Sequence, residues 1–369
     1  MADAPSVSGS VIKPHDYDGD GDLDLFVGGR QTPGKYPNSG TSFVLRNDSE
    51  DTHLKFTKIQ ATIFDELGMV TDAKWSDIDG DNVKELIVIG EWMPIKIFKN
   101  DKGVFTDITD FSGLADQIGW WFSLETADFD NDGDLDIVAG NLGLNSKYKA
   151  SFEEPFQVFA KDFDSTGSLD IVLSYNQKGK QFPLRGRECS SNQMPFIKKK
   201  FPSYHEFALA ELATVYGEDN LNTALSFSAT NFATSYFQNN GKGVFTWKQL
   251  PREVQFTVVK KIITEDVNDD GFLDMLLFGN MSGFEVETPK QDAGYGIVLL
   301  GQGNGEFKIN MPYQSGLFIN GDIADGCVIS SGGNKKAILI AKNNDFVQMV
   351  KIYSENMKEI KLKEKVIGN

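Results

Sequence analysis

The chain has 369 residues, with 53 acidic against 36 basic side chains and a formal charge of −17. An apolar fraction of 40% and 36 glycines describe a globular composition. Such acidity excludes a nucleic-acid backbone as ligand. No apolar run is long enough for a transmembrane segment, MADAPSVSGS has no signal-peptide pattern, and Cys189 and Cys327 give neither a disulfide framework nor a zinc spacing.

The first predicted element is an acidic loop, DYDGDGDLDLFVGG from Asp16. Its pattern returns as DIDGDNVKELIVIG from Asp77, DFDNDGDLDIVAG from Asp128, DFDSTGSLDIVLS from Asp162 and DVNDDGFLDMLLFG from Asp266. Each has Asp at position one, Asp or Asn at position three and an acid at position nine. An apolar strand follows. The runs SFVLRND and LKFTKI, PIKIFKN and VFTDIT, SYFQNN and VFTWKQL, and YGIVLLGQG and EFKIN each read as two strands and a turn. With the strands flanking each loop, a unit has four strands. Repeated, it predicts an all-β protein, a β-propeller spanning 1–355. Uneven spacing between loops fits blades with variable insertions. A last unit, GDIADGCVISS to VQMVKIY, keeps the strand rhythm without carboxylates, giving about six blades. The chain begins inside the first acidic unit, so a longer parent would supply a seventh. The lysine-rich segment 356–369 is expected to be a tail.

Between about 176 and 231 the blade pattern stops, predicting a helical insertion in one blade. Ser203 and Glu206 form a capping box. Leu209, Leu212, Ala213 and Tyr216 share one helical face, and Gly217 ends it. The insertion serves either as a lid over the propeller face or as a binding arm.

Oxygens at positions one, three and five of a tight loop converge, and the acid at position nine closes the shell. Such a cage suits calcium. The expected ligands are Asp16, Asp18, Asp20 and Asp24; Asp77, Asp79, Asp81 and Glu85; Asp128, Asp130, Asp132 and Asp136; and Asp266, Asn268, Asp270 and Asp274. The fourth loop has Asp162, Asp164 and Asp170 but Thr166 at position five, so it is expected to bind weakest. Four to five calcium ions follow. Asn82 replaces the position-six glycine of loop two and tolerates the left-handed turn. Position twelve is apolar in every loop, which rules out an EF-hand.

The repeats resemble the FG-GAP/VCBS repeats of integrin-type propellers. LDLFVGGRQTPGKYP, ELGMVTDAKWSDIDGD, VIGEWMP, GWWFSLETADFDNDGDLDIVAGNLGLNSKY and NQKGKQFPLRGRE are similar to the propeller region of bacterial VCBS proteins with an ASPIC/UnbV tail, relatives of cartilage acidic protein. The resemblance covers nearly the whole chain. It implies calcium in the loops and an exported protein at the outer-membrane surface or in the periplasm of a Gram-negative bacterium. No ASPIC/UnbV segment or lipoprotein signal is present in this sequence, so it reads as a fragment or a short member.

Trp92, Trp120 and Trp121 either fill the space between blades or stack on sugar rings; Trp75 has the same two readings. Arg30, Arg185 and Arg187 follow inner strands, where they form ion pairs or bind a carboxylated ligand. Lys198 to Lys200 read as a solvated run. There is no G-x-S-x-G, H-E-x-x-H or phosphate-binding loop. The expected function is calcium-stabilised, adhesion-like recognition of a glycan or surface protein, without catalysis. The alternative is a calcium-dependent polysaccharide lyase using Arg185, Arg187, Tyr204 and His205.

Overall fold

Period-two alternation of apolar side chains pairs the strands on either side of each acidic loop into an antiparallel hairpin. The computed structural model describes residues 8–50, 53–285, 287–330 and 336–352, and the backbone of 363–366. The first sheet runs β1 (Ser8–His15), β2 (Asp24–Gln31), β3 (Phe43–Asn47), β4 (Phe56–Lys58) in that order. The second repeats it with β5 (Met69–Ser76), β6 (Glu85–Met93), β7 (Lys96–Asp101) and β8 (Val104–Asp107). A helical turn, α1 (Thr109–Ser112), precedes the short β9 (Gly119–Trp120), which pairs with β6.

The third sheet is interrupted. After β10 (Ser123–Ala127) and β11 (Asp136–Gly140) the chain leaves to build a separate sheet from β12 (Phe156–Lys161), β13 (Asp170–Gln177), β14 (Lys180–Pro183) and, after five helices, β15 (Leu225–Ala229). Its spatial order is β14-β13-β12-β15. Only then do β16 (Ser235–Asn239) and β17 (Phe245–Gln249) return to complete the order β10-β11-β16-β17. The SYFQNN hairpin thus belongs to the third acidic loop, although the fourth loop directly precedes it in sequence.

The regular order resumes in β18 (Val259–Glu265), β19 (Asp274–Gly279), β20 (Ile297–Gly301) and β21 (Phe307–Asn310). The last sheet has β22 (Ile323–Ser330), β23 (Lys336–Lys342), β24 (Gln348–Lys351) and β25 (Lys363–Val366). β25 corrects the expected tail: within 356–369, residues 363–366 pair with β24 as a fourth strand. The rest of that segment lies outside the described residues.

The second strand of each regular sheet shows why the sheets stack. Leu86 and Val88 face a core shared with Phe26 and Val44 of the first sheet and with Phe64 of the connection that follows it. Ile87 and Ile89 face the opposite core, shared with Ile137, Ala139 and Phe237 of the third. Met275 and Leu277 join Val138 and Tyr236, while Leu276 and Phe278 join Ile338 and Ile340. A sheet buried on both faces must lie between two others, each buried Leu, Ile or Phe contributing roughly 1.5–3 kcal/mol. The first strands β1, β5, β10, β18 and β22 pack successively side by side. Ion pairs cross between them: Lys13 to Asp72 at 2.8 Å, Lys74 to Glu125, and Lys261 to Asp325 at 2.8 Å.

The insertion's helices are α2 (Arg187–Gln193), α3 (Phe196–Lys200), α4 (Tyr204–Ala208), α5 (Leu212–Tyr216) and α6 (Glu218–Asn222). Ser203 and Glu206 cap α4 reciprocally, as expected. The predicted continuous helical face is split: Leu209 is exposed, and α5 buries Leu212, Val215 and Tyr216 instead. The helices cover one face of the inserted sheet, through Phe159, Phe163 and Val172. Its other face, with Val158 and Leu173, packs against Trp92 and Trp120. Among the described residues no helix is long and apolar enough to cross a membrane.

Candidate metal loops and an aromatic cavity

Each acidic loop is the turn between the first two strands of one hairpin. The position-one carboxylate organises it: Asp16 accepts the N–H groups of Gly19 at 2.8 Å and Gly21 at 3.0 Å. Asp77, Asp128, Asp162 and Asp266 likewise accept from position six. Position six needs a left-handed backbone, supplied by Gly21 (φ +97°) and, as expected, by Asn82 (φ +68°). Position four is also left-handed, even where it is Asn131, Ser165 or Asp269.

The position-nine acids are buried latches. Asp24, Glu85, Asp136, Asp170 and Asp274 each accept the backbone N–H of position two, at 2.9–3.2 Å. Asp24, Asp136 and Asp274 also accept an N–H from the third strand of their sheet, from Asn47, Asn239 and Gly301. In the inserted sheet the amide of Gln193 takes that place beside Asp170, at 3.2 Å. Burial raises these acids, Asp136 to about 6 and Asp274 and Glu85 to about 7.

The donor set fits a hard cation in four loops. Asp16, Asp18 and Asp24; Asp77, Asp79 and Glu85; Asp128, Asp130 and Asp136; and Asp162, Asp164 and Asp170 each bring oxygens within 4.8 Å of one another. One buried oxygen in each group lacks a hydrogen-bond partner: Asp18 Oδ1, Glu85 Oε1, Asp128 Oδ1 and Asp164 Oδ1. Orphaned buried acceptors facing like charge are what a calcium ion would satisfy. The position-five acids Asp20, Asp81 and Asp132 lie outside these groups and accept N–H groups two residues on.

The fourth and fifth loops differ in how their side chains are arranged. The fourth, expected to be weakest, assembles its three carboxylates. The fifth turns the Asn268 amide onto Asp270 at 2.8 Å instead. In the second loop the Lys99 ammonium bonds Asp79 and, at 2.9 Å, Asp81. Those carboxylates raise Lys99 above the usual lysine value.

Raised acids fix a sign. Without cation, the stability due to protonated Asp136, Asp274 and Glu85 is fully present below pH 4 or so and is lost as pH rises through about 6 to 7. A cation held beside Asp136 would reverse that loss in the third loop by favouring the ionised form. The calcium-induced rise in melting temperature will therefore be larger at pH 8 than at pH 5.5. Equal rises by calorimetry would contradict the loop assignment.

Three of the six candidate ligand residues line one cavity of about 380 Å³, and a fourth packs behind its wall. Arg30, Trp120 and Arg185 line it, with Tyr36, Glu91, Tyr148, Leu173 and Phe284. Trp92 stands behind, its Nε1 donating to Tyr36 Oη at 2.7 Å and its ring edge-on to Trp120 at 4.9 Å. Trp92 has a left-handed backbone (φ +60°), a strained state for a bulky residue. Trp120 also meets Tyr148, Phe156 and Phe232. Its buried Nε1 has no partner.

The charges in the cavity are paired. Arg30 bonds the buried Glu91, whose carboxyl burial raises. Arg185 donates to Glu285 at 3.1 Å and to Gln193 at 3.1 Å, and Lys147 also reaches Glu285 at 2.8 Å. Arg30→Ala would strand Glu91 in the interior and cost about 3–5 kcal/mol, measurable by urea denaturation.

The other two candidates lie elsewhere. Trp121 is fully buried core, its Nε1 bonded to the Gln117 carbonyl. Arg187 donates to the carbonyls of Phe201 and Pro202 and lies over the Tyr204 ring. Of Arg185, Arg187, Tyr204 and His205, only Arg185 lines the cavity. Sequence reasoning missed Tyr36, Glu91, Tyr148 and Glu285; nothing in the local pattern shows that distant loops converge.

The FG-GAP-like repeat family matches residues 16–88 and 77–139, so the chain carries repeats of this kind. No curated protein matches the sequence. Among solved structures, the NanB sialidase from Streptococcus pneumoniae is 12% identical, with 99% of this chain and 53% of that one covered and a TM-score of 0.31. NanB with Optactamide is 11% identical, with 98% and 52% covered and a TM-score of 0.30. The V. cholerae biofilm matrix protein Bap1 is 10% identical, with 90% and 74% covered and a TM-score of 0.27. The chain spans about half the length of the sialidase structures.

Proposed function

We propose that this chain is an extracellular, calcium-braced recognition module that binds a carboxylated glycan in the aromatic cavity, without catalysis. The observation that carries the reading is the convergence of Arg30, Trp120 and Arg185 on one cavity. Aromatic rings offer apolar faces to a sugar, and guanidinium groups offer N–H donors to a carboxylate. The acidic loops lie at hairpin turns and act by rigidifying the sheets. Millimolar calcium outside a cell suits such sites.

The sheets form a propeller whose ring closes between the last and the first. The serial packing of first strands, β1 on β5, β5 on β10, β10 on β18 and β18 on β22, supports that reading. The kinship to ASPIC/UnbV proteins and the Gram-negative surface belong to the same proposal.

The test is titration of neutral and carboxylated oligosaccharides into the calcium-loaded protein. Arg185→Gln is the informative variant, because Lys147 still neutralises Glu285. It should weaken a carboxylated glycan about tenfold, some 1.4 kcal/mol, at nearly unchanged melting temperature. Equal affinity for neutral and carboxylated sugars would defeat the reading. Unsaturated products absorbing in the ultraviolet would make the protein a lyase instead.

A further inference from the structure

In four of the regular sheets one third-strand residue has the same register, the residue that follows the partner of loop position ten. It is Arg46 in β3, Lys99 in β7, Gln238 in β16 and Leu300 in β20, placed alike by the pairings Leu25 with Leu45, Leu86 with Phe98, Ile137 with Phe237 and Met275 with Leu299. Arg46 is drawn away to Asp48, at 2.7 Å. Gln238 donates its neutral amide to Asp130 at position three. Lys99 reaches both Asp79 and Asp81, at positions three and five. Its neighbour Asn100 is fixed by a 2.6 Å bond to the Tyr17 carbonyl of the first sheet, so the strand holding the ammonium is anchored.

We propose that Lys99 is a built-in cation that closes the second loop in place of calcium, leaving that loop empty of metal while its sister loops fill. A tethered charge has an effective concentration that a free ion at millimolar levels must exceed. An entering calcium would also meet the ammonium at contact distance, or have to expel it and strip Asp79 of its partner. The second loop then stays formed where calcium is scarce, and the first two sheets keep their junction under conditions that open the others. The inference rests on reading the loops as calcium sites, but its first test does not.

In chelator, Lys99→Gln should lower the melting temperature by about 2 °C, because Asp79 and Asp81 lose the ammonium that bonds them both, while Gln238→Lys should raise it. No change in either variant overturns the lysine's role whether or not calcium binds anywhere. In calcium, calorimetry and native mass spectrometry should show one more ion per chain in Lys99→Gln and one fewer in Gln238→Lys. Asp79→Asn should leave the wild-type ion count unchanged, whereas Asp130→Asn, at the same position of the third loop, lowers calcium affinity. Loss of an ion from Asp79→Asn would show that the second loop already holds metal and would overturn the proposal. If wild type binds no calcium at all, the calcium reading falls, and the chelator melts alone decide for or against the lysine.

Discussion

Asp136→Ala will lower stability by about 3 kcal/mol or more already in chelator, and by more in calcium, because the third loop also loses a ligand. Three buried donors lose their acceptor, each at roughly 1–3 kcal/mol: the Phe129 N–H at 3.0 Å, the Asn239 N–H at 2.8 Å and the Tyr236 hydroxyl at 2.8 Å. They come from the loop and from the third strand, so the loss unpins the turn from its sheet. Asp132→Ala gives the opposite pattern. Asp132 is exposed and bonds only the Asp134 N–H. It should melt like wild type in chelator and show a deficit only when calcium is added. Urea denaturation of both variants, with and without chelator, separates a folding residue from a metal residue. Equal losses in chelator would contradict the division.

Trp120→Ala should cost about 3–5 kcal/mol, the usual penalty for emptying a large aromatic site. The ring touches Trp92 of the second sheet, Tyr148, Phe156 of the inserted sheet, and Phe232. Removing it loosens the insertion from its host, so lost binding in this variant says nothing about contact with a ligand. Trp120→Phe is the sharper probe: it keeps an aromatic body and deletes the orphaned N–H. It should retain most of the stability yet weaken a glycan that stacks on the indole. Near-ultraviolet circular dichroism and thermal melts check the fold. Unchanged affinity in Trp120→Phe would remove the indole from the site.

The acidic hairpins were legible because their chemistry is local: spacing, left-handed turn residues and an apolar run lie within one stretch. The interruption of the third sheet was not. The hairpin from Asp162 looks like any other unit, and only long-range pairing shows that Ile137 meets Phe237. Lys99 was overlooked because its loop partners are about twenty residues away in sequence. The recurring polar residue before Asn47, Asn100 and Asn239 is a signal that could have found it. Of the arginines, Arg187 misled because position after a strand does not say which way a helix start turns its side chain.

The detour inside the third sheet has a consequence for synthesis. Asn141 and Thr234 are hydrogen-bonded neighbours although 93 residues separate them. On a ribosome, the first two sheets have all their strands as soon as they emerge. β11 must then wait with an open edge until the inserted sheet and its helices have been made. An unpaired edge invites pairing with other chains, and closing so long a loop is entropically slow. The cavity matures later still, since its walls run from Arg30 to Glu285. A stalled nascent chain ending before β16 should therefore be sensitive to protease in β10 and β11 while its first two sheets resist, leaving the recognition surface among the last parts to form.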